Sequence, residues 1–122
     1  KIRFNEAEQV QIQKLMRKFE LNPYAAPSVK ECQSEVGEEV VNALIELKEL
    51  VIVSSDVIFR KSDYDEMAKK LCAAIQQKGQ ITLAEVRDLF NTTRKYAQAL
   101  LEHLDSIGMT IRDGDSRKLK IS

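Results

Sequence analysis

The chain holds no tryptophan, two prolines, four glycines, two cysteines and one histidine in 122 residues, and each scarcity excludes something. Cys32 and Cys72 stand 40 positions apart, with no CxxC and only His103 as a possible companion, so neither a disulfide framework nor a zinc-finger ligand set is in reach. Both fall among apolar helical positions and are expected as plain buried thiols. The scattered glycines make no phosphate-cradling loop, and a lone histidine at the end of a Leu-rich helix has no nucleophile beside it. The acidic residues read as helix caps and exposed faces. The chain is therefore expected to be non-catalytic, with no metal site and no cofactor of its own.

No apolar run approaches the roughly 20 residues that cross a bilayer. The opening Lys1-Ile2-Arg3-Phe4 lacks the apolar stretch of a signal peptide. A cytosolic protein without a membrane partner is expected, and a start at Lys1 rather than Met suggests an excerpt of a longer chain. Net charge is missing too: nineteen basic residues cancel nineteen acidic ones, so no global field draws the protein onto a polyanion. Nucleic-acid binding would need a local patch.

What is present is a pattern written twice. Asn5 with Glu8 makes a capping box, and Val10, Leu15 and Phe19 follow at helical spacing until Asn22-Pro23. Pro27-Ser28 opens a short helix around Val29, Cys32 and Val36, interrupted by Gly37. A third helix buries Val40, Val41, Leu44, Ile45 and Leu47. The period then becomes extended in Leu50-Val51-Ile52-Val53 and Val57-Ile58-Phe59, joined by Ser54-Ser55-Asp56, which predicts a hairpin.

The order then recurs. Ser62-Asp63 is read as the cap of a helix carrying Met67, Leu71, Cys72 and Ile75 up to Lys78-Gly79. Ile81 suits a brief strand, and Thr82 with Glu85 forms a capping box for a short helix through Val86, Leu89 and Phe90. After Asn91-Thr92, a longer helix runs from Thr93 to Ser106 with Ala97, Leu100, Leu101 and Leu104 inward. A hairpin from Met109 to Arg112 and Arg117 to Ile121 closes around Asp113-Gly114-Asp115.

Shifting the first half by 57 positions lays Leu44 on Leu101, Leu47 on Leu104 and Leu50 on Ile107. Three helices and a two-stranded hairpin, with a sharp turn before the third helix, describe a winged helix-turn-helix. The expected fold is mostly α with small β hairpins: tandem winged-helix domains at 1–61 and 62–122.

The third helix of such a unit usually meets nucleic acid with its N-terminal residues. In the second unit these are Thr93-Arg94-Lys95-Tyr96, where unpaired backbone amides and two cations would receive a phosphate. Gln98 faces the same way one turn on. The hairpin adds Arg112, Arg117, Lys118 and Lys120, some of which strand alternation should place on one exposed face. The candidate RNA-binding set is thus Arg94, Lys95, Tyr96, Gln98, Arg112, Arg117 and Lys118. The same shift sets Gly37, Glu38 and Glu39 of the first unit opposite Arg94, Lys95 and Tyr96, a tip that repels phosphate. Its hairpin is apolar, which suits a spacer or docking role. Charge totals barely separate the halves, with nine basic and ten acidic side chains in residues 1–61 against ten and nine in 62–122. Plainer readings stay open: Arg94 and Lys95 as a solvated helix start, Tyr96 as a core aromatic, Lys69-Lys70 as a solvated face and His103 as a boundary residue.

Thr92-Thr93-Arg94-Lys95-Tyr96-Ala97, Leu100-Leu101-Glu102-His103-Leu104-Asp105 and Ile107-Gly108-Met109-Thr110 resemble the C-terminal pattern (T/S)RKYA…LLE.LD..G.T.R.GD.R of bacterial selenocysteine-specific elongation factors (SelB). Asp56-Val57-Ile58-Phe59 and the stretch from Gly79 to Asp88 extend the likeness, which is dense over residues 79–117 and loose in the first unit. The resemblance implies the last two of four winged-helix repeats in a GTPase. That factor would use GTP and Mg and deliver selenocysteyl-tRNA to the ribosome, and the final repeat would hold the mRNA stem-loop that recodes UGA. Arg94, Lys95 and Arg117 match the family pattern directly. Lys118 and Lys120 fall outside it, and no GTPase motif is present. A monomer is expected. Such a domain would cradle the backbone of an RNA hairpin and read unstacked bases, because A-form RNA closes its narrow major groove to a helix. Two rivals share the fold: a DNA-binding transcriptional regulator, usually dimeric, and a protein-interaction module.

Overall fold

The computed structural model describes residues 2–120. It divides into two compact units, Lys1–Asp63 and Tyr64–Ser122.

In the first unit α1 (Glu6–Leu21), α2 (Val29–Val36) and α3 (Glu38–Glu46) precede a hairpin of β1 (Leu50–Ile52) and β2 (Ile58–Arg60). Asn5 and Ser28 each head a helix through a reciprocal capping box, with Glu8 and Glu31 respectively. Gly37, at φ 90°, ends α2 and starts α3 by itself. A side chain would strain that conformation, which is why one residue suffices for the turn. The core is aliphatic and aromatic: Leu15, Phe19, Cys32, Val41, Leu44, Leu50, Ile58 and Phe59 are essentially inaccessible. Cys32 is a buried thiol as expected, its pKa pushed up to about 12 chiefly by desolvation.

The second unit contains most of α4 (Lys61–Lys78), then β3 (Ile81–Thr82), α5 (Leu83–Leu89), α6 (Arg94–Ser106), β4 (Thr110–Asp113) and β5 (Ser116–Leu119). Thr82 and Glu85 form the expected capping box. The strands make a three-stranded antiparallel sheet in the order β3-β5-β4, with β5 in the centre. Gly114, at φ 64°, supplies the positive φ required first in the two-residue turn between β4 and β5. Met67, Leu71, Ile75, Val86, Ala97, Leu100, Leu101 and Leu104 fill the core. Each such Leu contributes about 2 kcal/mol of apolar burial.

Several sequence expectations need correction. Helix α4 begins at Lys61, directly after β2, so Ser62-Asp63 is its first turn rather than its cap; Asp63 instead pairs with Arg60 at 2.9 Å. Cys72 is only half-buried. Leu47, expected to be buried, is 44 % exposed, and Leu89 and Ile107, which belong to the apolar pattern, are 44 % and 53 % exposed. Leu47 and Ile107 are C-cap residues, where the helix unwinds and the side chain leaves the buried stripe. The outer limit of the final hairpin at Ile121 falls outside the described residues.

The repeat is real, but its register over the last helix and hairpin is 60 rather than 57. Leu47 and Ile107 are equivalent caps, each followed by a positive-φ residue, Lys48 at 63° and Gly108 at 79°. The amide of Glu49 bonds Leu44 as that of Met109 bonds Leu104. In this register α6 is one turn longer at its start than α3. Arg94, Lys95 and Tyr96 fall opposite Ser34, Glu35 and Val36, and the acidic residues Glu38 and Glu39 are not their counterparts.

Candidate nucleic-acid interface

Helix α6 is amphipathic, with Ala97, Leu100, Leu101 and Leu104 turned inward, and that burial fixes how its first turn is presented. Arg94 and Lys95 project into solvent, and Tyr96 is half-buried. Lys95 Nζ lies 5.4 Å from the centre of the Tyr96 ring, within cation–π range. Thr93 is the N-cap but makes no side-chain bond to the first turn, unlike Asn5, Ser28 and Thr82 at the starts of their helices. The positive end of the α6 dipole thus lacks the usual hydroxyl cap where two cations stand. Arg94 makes no ion pair among the described residues. Gln98, one turn on, is exposed and bonded to Glu102 at 3.0 Å.

The hairpin sorts its basic residues by strand alternation. Arg112 lies directly opposite Arg117, and Thr110 opposite Leu119, so these four share one face. Ile111, Asp113, Ser116 and Lys118 take the other face, where Lys118 holds Asp113 at 2.9 Å. That contact draws the Asp113 carboxyl below its ordinary range. The expected basic wing is therefore split: Lys118, and by parity Lys120, do not share a face with Arg112 and Arg117.

Arg117 departs most from expectation. It sits on the central strand, and its side chain is 7 % exposed. Its Nη2 and Nε donate to Asp105 Oδ2 at 2.9 and 3.1 Å, while Thr110 Oγ1 donates to Asp105 Oδ1 at 2.7 Å. A guanidinium taken out of water needs this bidentate pairing. Arg112 remains exposed at the turn end of the same face, its Nε donating to the Gly114 carbonyl at 3.1 Å.

Tip and wing meet at a cavity of about 260 Å³ lined by Arg94 of α6, Arg112, Asp115 and Arg117 of the hairpin, and Thr82, Leu83 and Ala84. Arg117 is already balanced by Asp105, so the cationic character of the cavity comes from Arg94 and Arg112 set against Asp115. Of the candidate residues, Arg94, Arg112 and Arg117 line it, and Lys95 and Tyr96 adjoin it in sequence; Gln98 and Lys118 do not line it. Sequence reasoning passed over Asp105, Thr110 and Asp115, although each occupies a position of the pattern quoted above.

A second polar feature of this unit is the half-buried pair His103 and Tyr64. Their rings meet edge to face at 5.4 Å, and His103 Nε2 lies 3.0 Å from the Tyr64 hydroxyl. Burial lowers the His103 pKa and raises that of Tyr64. Among the described residues no group of His, Cys, Asp and Glu could hold a metal ion. No helix there is long and apolar enough to cross a membrane.

Residues 73–119, which contain the cavity, match the family model described as elongation factor SelB, winged helix. Over these residues the second unit is similar to a SelB winged helix. A selenocysteine-specific elongation factor from Desulfomicrobium baculatum is 29 % identical over 82 residues, covering 67 % of this chain. The chain spans 13 % of the length of that SelB relative. The mRNA-binding domain of SelB from E. coli, solved in complex with SECIS RNA, superposes with a TM-score of 0.76 at 24 % identity, over 97 % of this chain and all of that one. A bacterial selenocysteine-specific elongation factor, EF-Sec, gives a TM-score of 0.72 at 21 % identity over 96 % of this chain and 19 % of its own. At such identities the two structures speak for the fold: winged helices of the kind SelB contains.

Proposed function

We propose that the second unit binds a folded RNA hairpin, the selenocysteine-insertion element of a message, through the cationic cavity between the start of α6 and the wing. One observation carries the reading: Arg94, Arg112 and Arg117, drawn from two elements, line a single cavity in a protein with no net charge. The E. coli relative solved with SECIS RNA supports the choice of RNA over DNA. Arg94 and Arg112 contact the phosphate backbone, Lys95 and Tyr96 extend the surface, and Arg117 shapes it from below. The first unit acts as spacer or docking module. In the complete factor, GTP and Mg, selenocysteyl-tRNA and the ribosome are engaged by other parts of the chain, in the cytoplasm, and RNA capture tethers the factor for recoding of UGA.

About three to five phosphate contacts give a log–log salt slope near −3. Arg94→Ala weakens hairpin binding about tenfold and Arg112→Ala by a similar factor, each removing a charge-assisted hydrogen bond. Fluorescence anisotropy against a selenoprotein-message hairpin, with a duplex DNA of equal length as competitor, measures both. Unchanged affinity in Arg94→Ala removes the tip from the site, and equal competition by DNA favours a transcriptional regulator instead.

A further inference from the structure

The Asp105–Arg117–Thr110 network occupies places where the first unit uses none of this chemistry. In the register of 60, Asp105 corresponds to Ile45 and Thr110 to Leu50. The strand pairings Ile52 with Ile58 and Arg112 with Arg117 make Ile58 the counterpart of Arg117. The first unit closes the same helix-to-hairpin joint with Leu50 and Ile58 at 1 % and 0 % exposure. The fold therefore does not require an ion pair there. Replacing such a pair by apolar residues is often neutral or stabilising, so its presence is a poor stability device. Its surroundings supply another reason, since Arg117 lines the cavity opposite Arg94 and directly across the ladder from Arg112.

We propose that Asp105 is a positioning residue of the RNA site: by holding Arg117 bidentately, and being held by Thr110, it fixes a guanidinium as the floor of the cavity and keeps the wing at its working distance from the start of α6. The inference rests on the reading above. It makes a counterintuitive demand, because a carboxylate near a polyanion site opposes binding by simple electrostatics, yet here its loss must weaken binding.

Two variants test it in the full chain. Asp105→Asn removes the negative charge and keeps the shape; RNA affinity then falls about tenfold, the loss expected when a charge-assisted contact is broken, although charge alone predicts a rise. The triple variant Asp105→Ile, Thr110→Leu, Arg117→Ile copies the first unit's joint; it retains the parent's melting transition and loses hairpin binding about tenfold or more. Affinity unchanged or raised in Asp105→Asn, or retained in a folded triple variant, overturns the inference. Arg94→Ala measured in parallel separates the two failures: weakened binding there with intact binding in the triple variant sinks the positioning role alone, whereas a parent that does not bind the hairpin sinks both. Should the triple variant not fold, the sign of the Asp105→Asn effect decides.

Discussion

Both units reach a winged helix from the same helix order, and they differ in what they place where the third helix meets its hairpin. The first unit sets Ile45, Leu50 and Ile58 there, and its third helix starts at Glu38 with two acidic residues in the first turn. The second sets Asp105, Thr110 and Arg117 in the same places and adds a helical turn that begins Arg94-Lys95. An apolar joint supports the fold alone, whereas the paired guanidinium of Arg117 also lines a neighbouring cavity. The comparison teaches that one fold closes the same joint with either apolar side chains or a buried ion pair, and that a reading of cores would treat the second as a misfit.

The comparison breaks most visibly at the ion pair. Asp105→Ala leaves Arg117 buried without its partner and costs about 3 kcal/mol. The equivalent Ile45→Ala, at a half-buried site, costs about 1 kcal/mol by loss of methylene burial. Urea unfolding of the two variants checks the order; equal losses would mean that Arg117 finds another partner. Where the copies share a device, the effects should agree. Ser28→Ala and Thr82→Ala each remove an N-cap and cost about 1 kcal/mol, and a loss near zero in one of them beside a full loss in the other would show that its cap is redundant.

A smaller effect is confined to the second unit. His103 corresponds to Ala43 in the register of 60, so only this copy has the contact with Tyr64. The folded pKa of His103 is lowered from its ordinary 6.5 by burial, and the unfolded chain therefore binds the extra proton first. Stability is unaffected well above pH 6.5 and declines as pH falls from there toward the folded pKa. Thermal melts between pH 8 and 5, about the range of histidine titration, should show the decline, and His103→Gln should flatten it.

Much of this architecture was legible in the sequence, because capping boxes and apolar periodicity act locally. Asn5 with Glu8 and Thr82 with Glu85 mark helix starts through bonds spanning three residues, and Ala97 to Leu104 mark a buried face by spacing alone. The register between the copies was harder to read, for a geometric reason. A slip of three residues nearly equals one helical turn, so leucines spaced by three coincide at 57 as well as at 60. The deciding landmark is the positive-φ position after each helix, which Gly108 advertises and Lys48 conceals. The candidate site was legible in its residue types but not in their sharing. Arg117 and Lys118 are adjacent cations in the sequence, and only the strand pairing sends one toward Asp105 and the other toward Asp113. Asp105 looked like a solvated acid near a helix end because its partner lies twelve residues away across a turn.

The central claim is that the second copy alone carries the RNA site, in the cavity between helix tip and wing. Backbone amide chemical-shift mapping during titration with a selenoprotein-message hairpin tests it most directly. The account predicts the largest changes at Leu83, Ala84, Arg94, Lys95, Arg112, Asp115 and Arg117, with residues 37–41 of the first unit unmoved. Changes centred on the first unit, or an unmoved Arg94 alongside a perturbed outer face at Ile111 and Lys118, would contradict it.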